Sequence, residues 1–185
     1  MKPVKSSYDD IRPFVQTGDI VAFGGGKGFV SWGIQLVTGS EYSHVAIIRK
    51  TVNGRVVLME STSLLSGRSG VIETYLSDRA NDYPIVDLYR LYAGRRAVFD
   101  AAACDRYLVS VKGRPYDRKG AGLSGLGQWL RIPGKQRDNA LFCSELADNA
   151  HCAGGLIYGR DRTPTPEELI RRPIYGAIHR IKGAL

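Results

Sequence analysis

Three cysteines, Cys104, Cys143 and Cys152, are the residues of this sequence best suited to act as nucleophiles. Cys104 falls on the apolar stripe of a predicted helix, so we interpret it as a small buried core residue. Cys152 falls at the C-terminal end of another predicted helix, where the helix dipole disfavours a thiolate. Cys143 falls in or near the first turn of that same helix, where unpaired N–H groups stabilise a thiolate and can hold an oxyanion. The sequence therefore favours Cys143 as the nucleophile of an acyl transfer, against the alternative of a buried cysteine at a helix start.

A thiol nucleophile needs a base, and the chain offers three histidines. His151 follows Cys143 by eight residues on the same predicted helix, about two turns away, so the two side chains cannot meet. His179 lies near the C-terminus and is interpreted as a surface or packing residue. His44 lies on a predicted strand, and with a cysteine at a helix start it forms the thiolate–imidazolium pair that acyl transfer requires. We therefore predict His44 as the base.

The orientation of His44 requires a third polar group, and the hairpin around Asn53-Gly54 restricts the choice. If the turn has two residues, Val52 pairs with Arg55, and Glu60 points away from His44 to the other side of the sheet. A serine then faces the histidine instead.

If the loop has three residues and a bulge, Thr51 pairs with Arg55, and Glu60 lies opposite Ala46, diagonal to His44 on the same face. A carboxylate orients an imidazolium better than a hydroxyl, so we favour Glu60 and the three-residue loop. The alternatives are Ser61 or Ser63 in this role, with Glu60 an exposed strand residue.

Two neighbours of His44 are further candidates for the site. Tyr42 is two positions before His44 and is therefore predicted on the same strand face. We assign Tyr42 and Ser43 to holding the oxyanion or positioning the substrate, against the alternative that Tyr42 is a packing residue.

The elements that must position these residues predict an α+β fold. We expect an antiparallel, small barrel-like sheet packed with helices, in one domain over residues 1–185 with a leader segment at 1–16. Loops are predicted at 61–70 and 116–137. Asp138 or Asn139 is predicted to cap the helix of Cys143, and Thr165 to cap a short helix in a capping box with Glu168. The predicted strands are 20–23, the two arms of the hairpin, 71–75, 85–92 and 174–181; the predicted helices are 29–37, 97–112, 141–153 and the one after Thr165.

Composition narrows the class of protein. The chain has 185 residues and a formal charge of +8, but no nucleic-acid motif, so we expect no nucleic-acid partner and at most peripheral contact with anionic surfaces. The N-terminus has no apolar signal region and no apolar run is long enough to span a membrane, which predicts a cytoplasmic protein. Three cysteines without zinc-ligand spacing predict neither a disulfide framework nor a metal site.

A family resemblance rests on several short motifs that occur in a fixed order between residues 17 and 170. In that order they are TGDIVAF, TGSEYSHVAI, LMEST, GRPYD, FCSELADNA and TPTPEEL. Together they resemble the permuted branch of the NlpC-type papain-like cysteine hydrolases, in particular the YiiX-like subgroup related to the lecithin:retinol acyltransferase-like enzymes. Histidine before cysteine is the mark of that circular permutation. One small departure is Ala147 after CSEL, where a bulkier aliphatic residue is common.

The resemblance implies a site and a chemistry. The family's histidine falls on His44, its cysteine on Cys143 and its polar third residue on Glu60. It implies a cysteine hydrolase that cleaves an amide bond of a peptide or peptidoglycan fragment through an acyl-enzyme, with no metal and no cofactor. Two alternatives remain open. One is a lipid acyltransferase or deacylase with an apolar groove formed by residues of 29–34 and 123–130; the other is a non-enzymatic binding module on the same fold.

Overall fold

The computed structural model of this chain describes residues 2–25, 39–65, 68–116, 141–156 and 163–182. Three predicted features lie outside these ranges: the helix 29–37, the cap at Asp138 or Asn139, and most of the loop 116–137. The residues proposed for an apolar groove lie outside them as well. The outcomes that follow concern the described residues.

The described strands form one seven-stranded sheet in the order β1-β7-β6-β2-β3-β4-β5. Their bounds are Val4–Lys5 (β1), Ile20–Gly24 (β2), Tyr42–Val52 (β3), Arg55–Leu65 (β4), Arg68–Tyr75 (β5), Ile85–Leu91 (β6) and Tyr175–Lys182 (β7). All pairs are antiparallel except β1 with β7, which is parallel. The mixed α+β architecture is confirmed. The expected barrel-like closure is not found among the described strands, because β1 and β5 form two open ends of the order.

The helices lie on both faces of this sheet. Their bounds are Tyr8–Ile11 (α1, followed by a 3₁₀ turn at Arg12–Phe14), Leu76–Asp82 (α2), Ala93–Val98 (α3), Ala101–Val111 (α4), Cys143–Ala153 (α5) and Pro166–Ile170 (α6). Side chains alternate along β2: Ile20 and Ala22 join the core beneath α4 and α5, while Val21 and Phe23 join the core beneath α1 and α2. Burial of one large apolar side chain in such a core stabilises the fold by about 1.5–3 kcal/mol.

The predicted helix 97–112 is two helices instead of one. The chain leaves helical geometry at Phe99, and the Asp100 side chain caps α4 by accepting from the Ala103 N–H at 2.8 Å. The Phe99 ring packs so closely against Gly18 and Gly154 that a Cβ on either glycine would lie within 2.5 Å of it. Tertiary packing of this ring therefore breaks the helix. The predicted apolar stripe is confirmed at Cys104, Leu108 and Val111, whereas Ala97 and Ala101, predicted on the same face, are exposed.

Two further expectations need revision, and one helix was not expected. Residues 61–65 and 68–70, predicted as loop, extend β4 and β5. The segment 1–16, predicted as a leader, adds β1 to the sheet and buries Ile11 and Val15 in the core. The helix α2 follows directly after β5 and was not predicted. The capping box of Thr165 with Glu168 is confirmed.

Candidate functional site

Cys143 is the first residue of α5, as the sequence predicted to within two positions. Its side chain is buried, and the backbone N–H groups of Val45 and Ser144 donate to Sγ. Glu145, in the first turn, accepts from the Phe142 N–H at 3.3 Å. The thiol therefore sits among N–H donors at the positive end of a helix, the position that most favours a thiolate.

The start of α5 contacts the two strands that carry the other candidate residues. The ladder between β3 and β4 runs from Val52–Arg55 to Ile47–Met59. Beyond its end, the Ser61 hydroxyl on β4 donates to the Leu141 carbonyl, and the Val45 N–H on β3 donates to Cys143. The N-terminus of the helix is thus bonded to both strands where their mutual pairing stops.

A second set of backbone contacts fixes the approach to Cys143. Val71 on β5 donates its N–H to the Arg114 carbonyl at 2.8 Å and accepts from the Gly113 N–H at 2.9 Å. The Pro115 carbonyl then accepts from the Leu141 N–H at 3.3 Å. The GRPYD motif therefore links the edge of the sheet to the start of α5.

His44 lies between Glu60 and Cys143. Its Nε2 donates to Glu60 Oε2 at 2.7 Å, and the ring also hydrogen-bonds the Cys143 thiol, which leaves Nδ1 as the nitrogen that faces sulfur. The imidazole packs against the rings of Phe23 and Tyr83, which also contact each other, with centroid distances of 5.8 and 6.3 Å. The ring therefore contacts two aromatic side chains and is bonded at both nitrogens by polar partners.

The register that brings Glu60 to His44 has a different origin from the one we expected. The turn at Asn53-Gly54 has two residues, both with positive φ, and Val52 pairs with Arg55. The expected three-residue loop is therefore wrong. The bulge lies further along β3 at Arg49, between the pairs Lys50–Val57 and Ile48–Leu58. It shifts the register by the same single residue, so Glu60 still reaches the face of His44.

Glu60 is fully buried, and polar side chains bond both of its carboxylate oxygens. Thr74 Oγ1 donates to Oε1 at 2.6 Å, and the Arg79 guanidinium donates through Nε to Oε1 at 2.8 Å and through Nη2 to Oε2 at 3.0 Å. Burial by itself would raise the pKa of this carboxyl, but the hydrogen bond and charge of His44, with Arg79 and Thr74, lower the pKa to about 2. Glu60 is therefore an ionised carboxylate at neutral pH.

The thiol and the imidazole shift each other's ionisation. Burial by itself would raise the pKa of Cys143, but the charge and hydrogen bond of His44, together with the two N–H donors, lower the pKa below its ordinary value. Burial would likewise lower the pKa of His44, but the electrostatic interactions with Tyr83 and Cys143 and the bond to Glu60 raise it well above its usual range. Both directions favour a thiolate–imidazolium pair.

Two residues at this site, Arg79 and Tyr83, were missed in the sequence. Arg79 lies on α2, within the segment LSDRAND, and its side chain is 6% exposed. Tyr83 follows the helix directly and stacks on His44. A polar helix of seven residues gives no apolar periodicity, so nothing in the sequence marks Arg79 as a neighbour of Glu60 or Tyr83 as a neighbour of His44.

Tyr42 is not arranged as predicted, whereas the role assigned to Ser43 stays a prediction. A bulge on β3 between the pairs Phe23–His44 and Gly24–Tyr42 places Tyr42 in the core on the opposite side of the sheet from His44. The same-face argument is therefore wrong. The Tyr42 hydroxyl donates to Asp87 and accepts from Arg180 at 3.4 Å. Ser43 is buried, and its Oγ has no hydrogen-bond partner in the described part of the chain.

The remaining histidines and cysteines lie in structural environments. His151 is fully buried, its Nε2 donates to the Gly18 carbonyl at 2.7 Å, and burial lowers its pKa to about 4. The ring of His179 bonds Ser6 at 3.0 Å on the edge of the sheet. Burial raises the pKa of Cys104 to about 12, which makes it a poor thiolate. Cys152 is half-buried and its thiol contacts the Leu156 carbonyl.

Two further features are absent from the described ranges. There, no group of three or more histidine, cysteine, aspartate or glutamate side chains is arranged to hold a metal ion. None of the helices in the same ranges combines the length and the apolarity needed to cross a membrane.

Comparisons with known proteins give a fold and no function. No protein-family model matches the chain, and no curated protein matches it. Among solved structures, the chain is similar to the crystal structure of the metalloprotein YiiX from Escherichia coli O157:H7. The TM-score is 0.59 at 18% sequence identity, over 87% of this chain and 94% of that one. At this identity the similarity extends to the fold alone.

Proposed function

We propose that this chain is a cysteine hydrolase that cleaves an amide bond through the triad Cys143, His44 and Glu60. One observation carries the proposal: the three side chains form a continuous hydrogen-bonded series that begins with a thiol at a helix N-terminus. A nucleophile, a base and a group that orients the base are the minimum set for acyl transfer.

The proposed reaction begins with the ion pair. The thiolate attacks the carbonyl carbon, a C–S bond forms, and the oxyanion is held by the backbone N–H of Cys143 at the start of α5. His44 gives its Nδ1 proton to the leaving amine, and the C–N bond breaks. His44 then removes a proton from water, whose oxygen attacks the thioester; the acid departs and the thiolate is restored. Glu60 stays ionised throughout and keeps Nε2 protonated.

The finer class of the protein is part of the same proposal. We propose a circularly permuted papain-like fold of the NlpC type, which the sequence motifs and the fold similarity to YiiX both support. Histidine on a strand before cysteine on a helix agrees with the permuted order. The proposed substrates are peptides, peptidoglycan fragments or lipid amides and esters, and the proposed location is the cytoplasm.

YiiX is described as a metalloprotein, but the residues of this site leave no free ligand for a metal. The donor atoms here are already engaged with one another: both nitrogens of His44 bond Cys143 and Glu60, and both oxygens of Glu60 bond Arg79. A cation at this position would displace these bonds and meet the positive charge of Arg79. The residues do not fit a metal, and no step of the mechanism uses one.

Thiol labelling tests the proposal directly, because the chain contains two internal controls. Native protein is treated with iodoacetamide between pH 5 and 9, and each cysteine is followed by peptide mass spectrometry. Cys143 is expected to react fast at neutral pH, with Cys104 and Cys152 far slower, and His44→Ala should move the reactivity of Cys143 to higher pH. Reaction of Cys143 at the rate of an ordinary exposed thiol would contradict the proposed hydrolase function.

A trapped acyl group tests the bond that is cleaved. The intact protein is incubated with peptide amides, murein peptides, and lipid amides and esters, and its mass is measured, with Cys143→Ala as the control. An adduct from peptide amides supports the proposal, and one from lipid esters supports the acyltransferase alternative. Fast labelling without any adduct or turnover would favour a binding module.

A further inference from the structure

Arg79 contacts both carboxylate oxygens of Glu60. Its Nε and Nη2 donate to the two carboxylate oxygens at 2.8 and 3.0 Å, a parallel two-point pairing that fixes both the position and the plane of the carboxylate. Both side chains are nearly or fully buried. A buried pair of this kind contributes orientation as well as charge, because neither partner can exchange for water.

The other contacts of Arg79 lead back to the histidine. Nη1 donates to Asp82 at 2.5 Å, and Nη2 also donates to the Tyr83 hydroxyl at 3.3 Å. The guanidinium carbon lies 5.1 Å from the centroid of the Tyr83 ring and 5.8 Å from that of Phe23. These are the two rings against which His44 packs. The Arg79 side chain thus contacts the carboxylate and both aromatic rings that pack against the imidazole.

We propose that Arg79 is a positioning residue of this site, which holds the Glu60 carboxylate in the plane and charge state that receive the Nε2–H of His44. The triad together with Arg79 then forms a series of alternating charges. Cys143 is negative, His44 positive, Glu60 negative and Arg79 positive. Arg79 touches neither the thiol nor a substrate and acts through Glu60.

The charged and titratable groups around the pair come from four elements. Asp82 and Tyr83 face Arg79 from the end of α2, Thr74 reaches Glu60 from β5, His44 comes from β3 and Cys143 from α5. Within the described chain, Glu60 has two cationic partners, His44 and Arg79. Removal of the arginine charge therefore leaves the full negative charge of Glu60 to His44, which should hold its proton to higher pH.

Two substitutions separate the charge of Arg79 from its geometry. Arg79→Met removes both, and the NMR titration midpoint of His44 is expected to rise by about one pH unit. Arg79→Lys keeps the charge but not the two-point pairing, so the midpoint should stay near that of the unmodified protein while Cys143 alkylation slows roughly 10-fold. The control is Arg55→Met, which removes an exposed ion pair between β4 and Asp78 on the helix of Arg79. It should change neither the His44 midpoint nor the rate of Cys143 alkylation. An unchanged His44 midpoint in Arg79→Met would overturn the proposal.

A double variant guards against simple loss of folding. Glu60→Gln with Arg79→Met removes both buried charges, so it should be more heat-stable than Arg79→Met alone. In the Glu60→Gln background, Arg79→Met should slow alkylation no further, because its effect passes through the carboxylate. If Arg79→Met slowed Cys143 alkylation by the same factor with Glu60 and with Gln at that position, Arg79 would not act through the carboxylate.

A positioning role for Arg79 presupposes the proposed function, but the measurement that tests it does not. The His44 titration needs no turnover. A shifted midpoint in Arg79→Met together with ordinary reactivity of Cys143 would reject the hydrolase and retain the positioning role. Fast reactivity of Cys143 with an unshifted midpoint would do the reverse.

Discussion

Glu60 Oε2 accepts the Nε2–H of His44 at 2.7 Å across the diagonal between β4 and β3. This bond exists because β3 carries one extra residue, Arg49, between the hairpin turn and the histidine. Arg49 has no pairing partner on β4, and its side chain forms ion pairs with Glu73 on β5 and Asp105 on α4. Two ion pairs at the bulge thus accompany the register on which the candidate site depends.

Replacement of Glu60 by glutamine should impair the ion pair and the fold together. We expect Cys143 alkylation at pH 7 to slow about 10- to 100-fold, because His44 loses its counter-charge. The free energy of unfolding should fall by about 3–5 kcal/mol, since Arg79 is left buried without its main carboxylate partner. The control is Thr74→Val, which removes one hydrogen bond to Oε1 and should cost about 1 kcal/mol with little change in labelling. Equal labelling rates for both variants would contradict the orienting role.

The ionisation of Glu60 predicts how stability depends on pH. Its pKa is lowered from 4.5 to about 2 in the folded chain, so its contribution is complete well above pH 4.5 and is lost as the pH falls toward 2. That contribution is about 3 kcal/mol, of which about 2 kcal/mol is gone by pH 3. Urea unfolding at pH 7 and pH 3 should show this loss in the unmodified protein relative to Glu60→Gln. A difference between the two proteins that stays constant with pH would refute it.

Tyr42→Phe separates the buried tyrosine from the chemistry of the site. Its hydroxyl bonds Asp87, and burial with that bond raises the pKa of Tyr42 well above its ordinary value, so the group stays protonated. We expect the substitution to lower the free energy of unfolding by about 1–3 kcal/mol and to leave the labelling rate of Cys143 unchanged. A marked loss of labelling in a folded, equally stable variant would restore Tyr42 as a site residue.

Gly70 controls the approach of the GRPYD segment to β5. Its φ is +111°, and a Cβ there would lie 2.3 Å from the Arg114 carbonyl oxygen. Gly70→Ala should displace residues 114–115 and, through the Pro115–Leu141 hydrogen bond, the start of α5. We expect a loss of about 1–3 kcal/mol and slower labelling of Cys143. Gly113→Ala also has positive φ but meets no atom within 4 Å, so it should cost about 1–2 kcal/mol without that loss of labelling.

The sequence alone located the chemical groups. A cysteine at a helix start and a histidine on a strand are local features, readable from capping, periodicity and turn residues, and Cys143 and His44 lie where those signals put them. The position of the Asn53-Gly54 turn was readable as well, because its residues favour positive φ, although its length was predicted wrongly as three residues. Local physics governs each of these, so a short window of sequence suffices.

The tertiary structure decided how these groups meet. The bulge at Arg49 is accompanied by ion pairs with Glu73 and Asp105, the bulge before His44 turns Tyr42 into the opposite core, and Arg79 reaches Glu60 from a polar helix without a periodic signal. Each of these depends on partners far along the chain, and a bulge of one residue reverses the face of every side chain beyond it. Neighbouring residues in the sequence therefore determined the local conformation around each candidate residue. Strand register and the burial of charged side chains depended on packing between elements that are distant in the sequence.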